Sequence, residues 1–440
     1  MQQYFNLLAD HVQTQLQETE QSTCWLSAES SDFVRFNRSA IRQPGHVQQS
    51  TLRLQLIQGT THASYQLNLS GDAGQDVPAV NDALTLLREQ LPDLPADPHL
   101  LLTGEVQNSC TILPSSLPPA DQMVAQIMDL SAGYDMVGLL TTGSQYRGFA
   151  NSAGQRNWFE TSNVNFDWSL FHAHDKAVKS NYAGFGWDEA IFRQKFHDAA
   201  NKLALLARPA VTIAPGNYRV YLTPTALSEI IGMLNWGGLS EQALQTRHSA
   251  LRRLQTGEVQ LHPMVQLSES SSTGLAEAFQ AQGFIKPEQV DLFRDGKLAG
   301  SMISPRSAKE YGLISNGAAS DEAAVAMVMG AGHLPQSEVL KELGTGIYIS
   351  NLWYLNFSDR ANCRFTGMTR FATFWVENGE IKAPLNVMRF DDSLFRILGD
   401  NLLALTQETE VIMDDRSYGE RRTGGMIVPG ALLKEMHFAL

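Results

Sequence analysis

Cysteine is scarce in this chain. Three occur in 440 residues, Cys24, Cys110 and Cys363, far apart and odd in number. No disulfide framework or cysteine-pair zinc site can be built from them, and a reducing compartment is the expected setting. Long hydrophobic runs are missing too. No segment approaches the roughly 20 apolar residues that span a bilayer, so no membrane association is expected. Met1 to Asp10 shows no basic stretch leading into an apolar core, so no signal peptide is expected. Basic charge is in the minority: 33 Lys and Arg face 46 Asp and Glu, for a net charge of −13. A dedicated nucleic-acid binder would show a basic stripe, and direct nucleic-acid contact is therefore not expected. No Gly-rich loop runs into a Lys-Ser/Thr helix, and no Gly-x-Ser-x-Gly elbow is present. Phosphate-cradling and elbow-serine chemistry are excluded, and a cytoplasmic protein is expected.

What is present is a core-forming composition, 43% apolar, in a chain long enough for two or three domains. Phe5, Leu8, Val12 and Leu16 recur at helical spacing. Phe33, Arg35 and Asn37, then Leu52, Leu54 and Leu56, then Tyr65, Leu67 and Leu69 alternate as strands of a sheet with one buried face. Turns are expected at Pro44-Gly45 and Gln58-Gly59. Helices are predicted over 80–91, from Val124 through Met128, and over 188–207. Strands are predicted over 136–141 and 148–169. The main boundary is placed at Arg208-Pro209, giving domains 1–208 and 209–440. Beyond it, a strand from Tyr218 to Leu222 runs into Thr223-Pro224, an N-cap followed by proline at the first helical position. Leu227, Ile230, Ile231 and Leu234 line one face of that helix. Further helices are predicted over 241–254 and 393–405. Asn378-Gly379 between two apolar runs predicts a type I′ hairpin. Helices and antiparallel strands without βαβ alternation define the fold class as α+β, an N-terminal α+β domain with an antiparallel sheet and a C-terminal strand-rich domain.

Few residues advertise chemistry. His172 and His174, two apart with Asp175 beside them, point the same way on a strand and offer a metal pair, but catalytic zinc needs a third protein ligand. Partly satisfied surface histidines are the simpler reading. Cys363 lies next to Arg360 and Arg364, which would lower its pKa, yet an ordinary strand cysteine is the commoner case. Trp353, Tyr354 and Phe357 lack basic interleaving, and so read as core or interface and not as a base-stacking platform.

Five segments, in order along the chain, resemble the TldD/PmbA peptidase family. They are Gly148 to Gly154, Tyr218 to Trp236, Asn316-Gly317-Ala318 with the run to Gly330, Leu343 to Ile349, and Phe374 to Ile381 with Pro384 after it. The resemblance implies an N-terminal α+β domain and a C-terminal domain of the TldD/PmbA type that encloses the site. It also implies assembly, because TldD-type and PmbA-type subunits pair. Catalytic members carry His-Glu-x-x-x-His on a helix and a cysteine near the C-terminus. The two histidines and the cysteine would hold zinc, and the glutamate would act as general base.

Here the matching segment is Ser228-Glu229-Ile230-Ile231-Gly232-Met233. Ser228 and Met233 replace the histidines, and Glu229 remains where the base would be. No cysteine lies near Ser417-Tyr418-Gly419. The pattern is similar to the PmbA (TldE) side of the family, also called modulator of DNA gyrase. It implies a non-catalytic subunit that needs no cofactor of its own, zinc being expected only in a TldD-type partner. Peptides or unfolded proteins would be degraded or matured by the pair. Two alternatives remain: a peptidase with a relocated metal site at His172, His174 and Asp175 and Glu229 as base, and a homodimeric peptide- or protein-binding module.

Overall fold

The computed structural model describes residues 1–172 and 176–439. The first half contains α1 (Gln2–Gln15), β1 (Glu20–Asn37), β2 (Ala40–Gln58), β3 (Thr61–Asn68), α2 (Ala73–Gln90), β4 (Ser109–Ile112), α3 (Ala120–Ser131), β5 (Asp135–Asn151), β6 (Arg156–Phe171), β7 (Ala177–Gly184) and α4 (Glu189–Leu206). The second half contains β8 (Gly216–Leu222), α5 (Pro224–Gly232), α6 (Glu241–Gln245), α7 (Arg252–Gln255), β9 (Leu267–Ser270), β10 (Gln289–Arg294), β11 (Lys297–Leu298), α8 (Pro305–Tyr311), β12 (Ala326–Met329), α9 (Val339–Leu343), β13 (Gly346–Asp359), β14 (Arg364–Glu377), β15 (Glu380–Pro384), β16 (Arg389–Ser393), β17 (Leu402–Met413) and β18 (Gly425–Phe438). The fold is α+β. Among the described residues, no helix is long and apolar enough to cross a membrane.

The first sheet runs β3-β2-β1-β5-β6-β4, with β7 also on β6. Residues opposite one another in an antiparallel pair share a face. One face carries Leu26 and Ala28 of β1, Leu52, Leu54 and Leu56 of β2, and Val164, Phe166 and Trp168 of β6, all buried under α1 and α2 at one end and α3 and α4 at the other. The opposite face carries Glu29 and Ser31, Gln145 and Arg147, Thr161, Asn163 and Asn165. These polar residues are also buried. They lie under the second half, which makes this sheet polar on a covered face, where apolar side chains are the usual choice.

The second sheet closes on itself. β18 pairs with β16, β16 with β14, β14 with β13, β13 with β8, and β8 returns to β18. Inside and beside this ring sits an apolar core that includes Leu227, Ile230 and Ile231 of α5, Phe365, Phe390 and Phe438. Asn378 and Gly379 both have positive φ and join β14 to β15, the hairpin turn their sequence predicts.

Four expectations are corrected. β2 runs straight through Pro44-Gly45, and the chain turns instead at Arg38-Ser39, both at φ 52°. Proline is tolerated there because β3 pairs only with residues 51–58 of β2, leaving the stretch before them on an open edge. β5 and β6 are each continuous, and the break between them falls at 152–155. Gly143 lets β5 pass, since a Cβ there would lie 2.2 Å from the Ser30 carbonyl oxygen. The span 241–254 is two short helices, α6 and α7, split where Arg247 adopts φ 64°. The span 393–405 holds one wide turn, Arg396–Asp400, interrupted at Gly399, before β17 begins.

Candidate functional site

α5 begins where β8 delivers Thr223. Its hydroxyl accepts from the Ala226 N–H, 3.3 Å, and donates to the Ser350 carbonyl, 2.6 Å, which ties the helix start to β13. Leu227, Ile230 and Ile231 point into the core, which leaves Thr225, Ser228 and Glu229 on the face turned toward the first sheet. There they meet Asn165 and Asp167 of β6 and Lys179 of β7 around a cavity of about 180 Å³, completed by Asn351 of β13 and by Ile412, Met413 and Asp415. A second cavity, about 290 Å³, shares Lys179, Ser180, Asn181, Thr225 and Asn351 with the first. It extends past α4 to the Lys195–Glu410 ion pair, 2.7 Å. The two form one groove between the halves.

The electrostatics follow from burial. Glu229 loses water on entering the groove, and this pushes its carboxyl up to about 8; the Leu352 N–H donated to Oε2 and the charge of Lys179 pull the other way without cancelling it. Asp167 is likewise raised by burial, although Lys179 lies 2.9 Å away. Burial opposes the charge on Lys179, but Asp167, with help from Asp415 and Glu229, holds the ammonium above its ordinary range.

The residues singled out in sequence part company here. Glu229 lines the groove. Ser228 lines it too, but its hydroxyl donates to the Thr225 carbonyl, 2.8 Å, within its own helix. Met233 is 4% exposed and packs in the apolar core. A zinc ion at this helix would have one carboxylate, a committed hydroxyl and a thioether facing elsewhere, so the residues present do not fit that metal. His172, just past the end of β6, is exposed and lines neither cavity, and His174 and Asp175 lie outside the described residues. Among the described residues no group of three or more His, Cys, Asp or Glu is arranged to hold a metal. Trp353 and Tyr354 are 51% and 73% exposed and so are not core.

Cys363 is buried, and burial pushes its thiol up to about 12 against the weaker pull of Arg360. The activated-thiolate reading is thereby overturned. Cys24 is in the same condition, while Cys110 is exposed. A thiol reagent at pH 8 is expected to modify one cysteine per native chain, Cys110, and all three only after unfolding. Rapid loss of a second thiol in the native state would contradict this.

Three participants carried no recognisable signal in the sequence: Asn165, the Asp167–Lys179 pair, and Arg421. Arg421 lies in the loop between β17 and β18. Its guanidinium donates to Ser31 Oγ, 3.2 Å, and to Asn163, and its own N–H donates to Glu29, 3.2 Å. Glu420 accepts from Ser27 Oγ, 2.6 Å. The loop thus lies on the polar face of the first sheet and closes one side of the groove.

The α+β fold is shared along the whole chain with solved proteins. TldE from Thermococcus kodakarensis matches with a TM-score of 0.78 at 13% identity, covering 99% of each chain. A Thermotoga maritima protein, described as a candidate modulator of a DNA gyrase, matches with 0.77 at 12% identity, again over 99% of each. These likenesses define the fold. Residues 215–440, just over half of the chain, match the PmbA/TldA metallopeptidase C-terminal domain, and the chain belongs to the PmbA/TldD family. A stretch of 114 residues is 34% identical to the Metalloprotease PmbA of Escherichia coli O157:H7; it covers 26% of this chain and spans about a quarter, 24%, of that relative.

Proposed function

We propose that this chain is the non-catalytic member of a two-subunit peptidase, holding unfolded peptide for a zinc-bearing TldD-type partner. The observation that carries the proposal is the helix at the groove: Glu229 faces the cavity, while Ser228 is bonded within its helix and Met233 is buried in the core. A carboxyl without a metal to polarise its water is a poor peptidase site. Sheet edges and a groove lined by amides and hydroxyls suit extended backbone, which is read more by its N–H and C=O groups than by side chains. Zinc belongs to the partner in this reading, and the chain itself needs no cofactor, membrane or nucleic acid.

The test is to co-express the chain with a TldD-type homologue from the same source and follow cleavage of an unstructured peptide. Chelator-sensitive cleavage at least tenfold above either chain alone is the expected result. The variant His172→Ala/His174→Ala should behave as the parent. Chelator-sensitive cleavage by this chain alone, lost in that variant, would replace the proposal with the relocated-site peptidase. Full activity of the partner without this chain would leave it with a separate binding role.

A further inference from the structure

The smaller cavity has a chemistry of its own. Three carboxyls, from Asp167, Glu229 and Asp415, surround it, against one cation, Lys179. Lys179 is already paired with Asp167 at 2.9 Å. Glu229 uses Oε2 to accept the Leu352 N–H, and Oε1 takes no hydrogen bond among the described residues. The independent observation is Asn165. It is 6% exposed, it lines the cavity, and its Oδ1 has no partner among the described residues. A buried amide oxygen left unpaired carries its full desolvation cost, so its presence beside a cavity is informative. The site is rich in acceptors and short of a donor cation.

We propose that this cavity seats a primary ammonium group, the amino end of a peptide or of a lysine side chain, a role that presupposes the peptide-holding function above. An ammonium offers three N–H donors and no acceptor. Asn165 Oδ1, Glu229 Oε1 and the mouth carboxylate of Asp415 are the acceptors offered. The positive charge faces Asp415, which Lys179, already bonded to Asp167, leaves uncompensated, and a neutral Glu229 still offers a carboxyl oxygen as acceptor. A metal ion is the weaker candidate, because no group of three or more His, Cys, Asp or Glu among the described residues is arranged to hold one. Ile412 and Met413 give the cavity one apolar wall for the carbon next to the amine. The adjoining larger cavity leaves a path for the rest of the chain, since the two share five lining residues, Lys179, Ser180, Asn181, Thr225 and Asn351.

Calorimetry on the full chain tests this with three probes: an Ala/Gly pentapeptide with a free amino terminus, its N-acetylated form, and the N-acetylated form with one central lysine. At least tenfold tighter binding of the free-amine peptide than of its acetylated form is expected. Recovery of that affinity by the lysine peptide assigns the seat to either amine, and no recovery assigns it to the chain terminus. Glu229→Gln and Asn165→Leu should each reduce the tenfold ratio to under threefold. Glu229→Gln preserves shape and the Leu352 contact, so it stays informative if Asn165→Leu fails to fold. Equal binding of free and acetylated peptides, or no binding of any probe, overturns the seat. Co-activation of the TldD-type partner is read separately. If it persists with a ratio of one, the seat alone fails; if it is absent while the ratio holds, the accessory role fails.

Discussion

Arg421→Ala is expected to destabilise the chain by about 3–5 kcal/mol and to open the loop between β17 and β18 to proteolysis. The magnitude is that of removing one partner from a buried charged network. Arg421 is 6% exposed, and burial lowers its guanidinium to about 10 while Glu29 supports the charge, so it is cationic at neutral pH. Its loss leaves Ser31 without its guanidinium donor, takes from Asn163 the donor to its amide oxygen, and leaves the carboxylate of Glu29, 3% exposed, with only Ser31, Gln49 and a backbone N–H. Arg421→Met keeps much of the side-chain volume and should still lose most of the stability, because the deficit lies in charge and hydrogen bonds more than in packing. The double variant Glu29→Gln/Arg421→Met removes the uncompensated carboxylate. It should be more stable than the sum of its single variants by about 1–3 kcal/mol, the size of coupling seen for contacting charged groups. Urea denaturation followed by tryptophan fluorescence measures all four. Strict additivity would mean that Glu29 and Arg421 are independent, and that the loop rests on the sheet for some other reason.

The network illustrates how far the sequence reaches. Alternation in β6, with Val164, Phe166 and Trp168 on one side and Asn163, Asn165 and Asp167 on the other, was legible as a strand with one apolar face. That the polar face would also be buried was not legible, because polar alternation ordinarily means solvent. Arg421 meets Ser31 across 390 residues, and no local pattern encodes such a pairing. Asp167 meets Lys179 only through the β6–β7 register, which sets Asp167 opposite Asn181 and Ser169 opposite Lys179. Glu229 was singled out by the family resemblance of Ser228 to Met233, while Thr223-Pro224 and the spacing of Leu227, Ile230 and Ile231 fixed only the start of α5 and its apolar face. The failures were of two kinds. Helical spacing in 241–254 and 393–405 reflected core burial of residues such as Leu254, Leu398 and Leu405 without a continuous helix, because Arg247 and Gly399 leave helical geometry. The proline at 44 read as a turn because the open edge that accommodates it exists only once β3 has paired.

Glu229→Gln is expected to stabilise the chain by about 2–3 kcal/mol at pH 9 and to leave stability unchanged at pH 4. The folded carboxyl titrates near 8 and the unfolded one near its ordinary value of 4.5. Between these values the native state binds the extra proton, so stability falls as pH rises through that window. Below about 4.5 both states are protonated and the group contributes nothing; above about 8 the full cost of the buried charge is present. At about 1.4 kcal/mol per pKa unit the separation sets an upper bound near 5 kcal/mol, and water reaching the groove reduces what is measured. Glutamine fills the same space, and its carbonyl can still accept the Leu352 N–H. The measurement is the urea midpoint of both proteins from pH 4 to pH 9. Parallel profiles, or a glutamine variant weaker at pH 9, would show that the carboxyl is not buried in solution. Zinc adds a sharper arm. A cation bound beside Glu229 would draw its pKa down and erase the advantage of glutamine. With Ser228 committed to Thr225 and Met233 in the core, zinc is expected to change neither profile. The same carboxyl that serves as a base beside a metal would then be, in this chain, a neutral group whose ionisation costs stability and whose use is to accept a donor from a bound peptide.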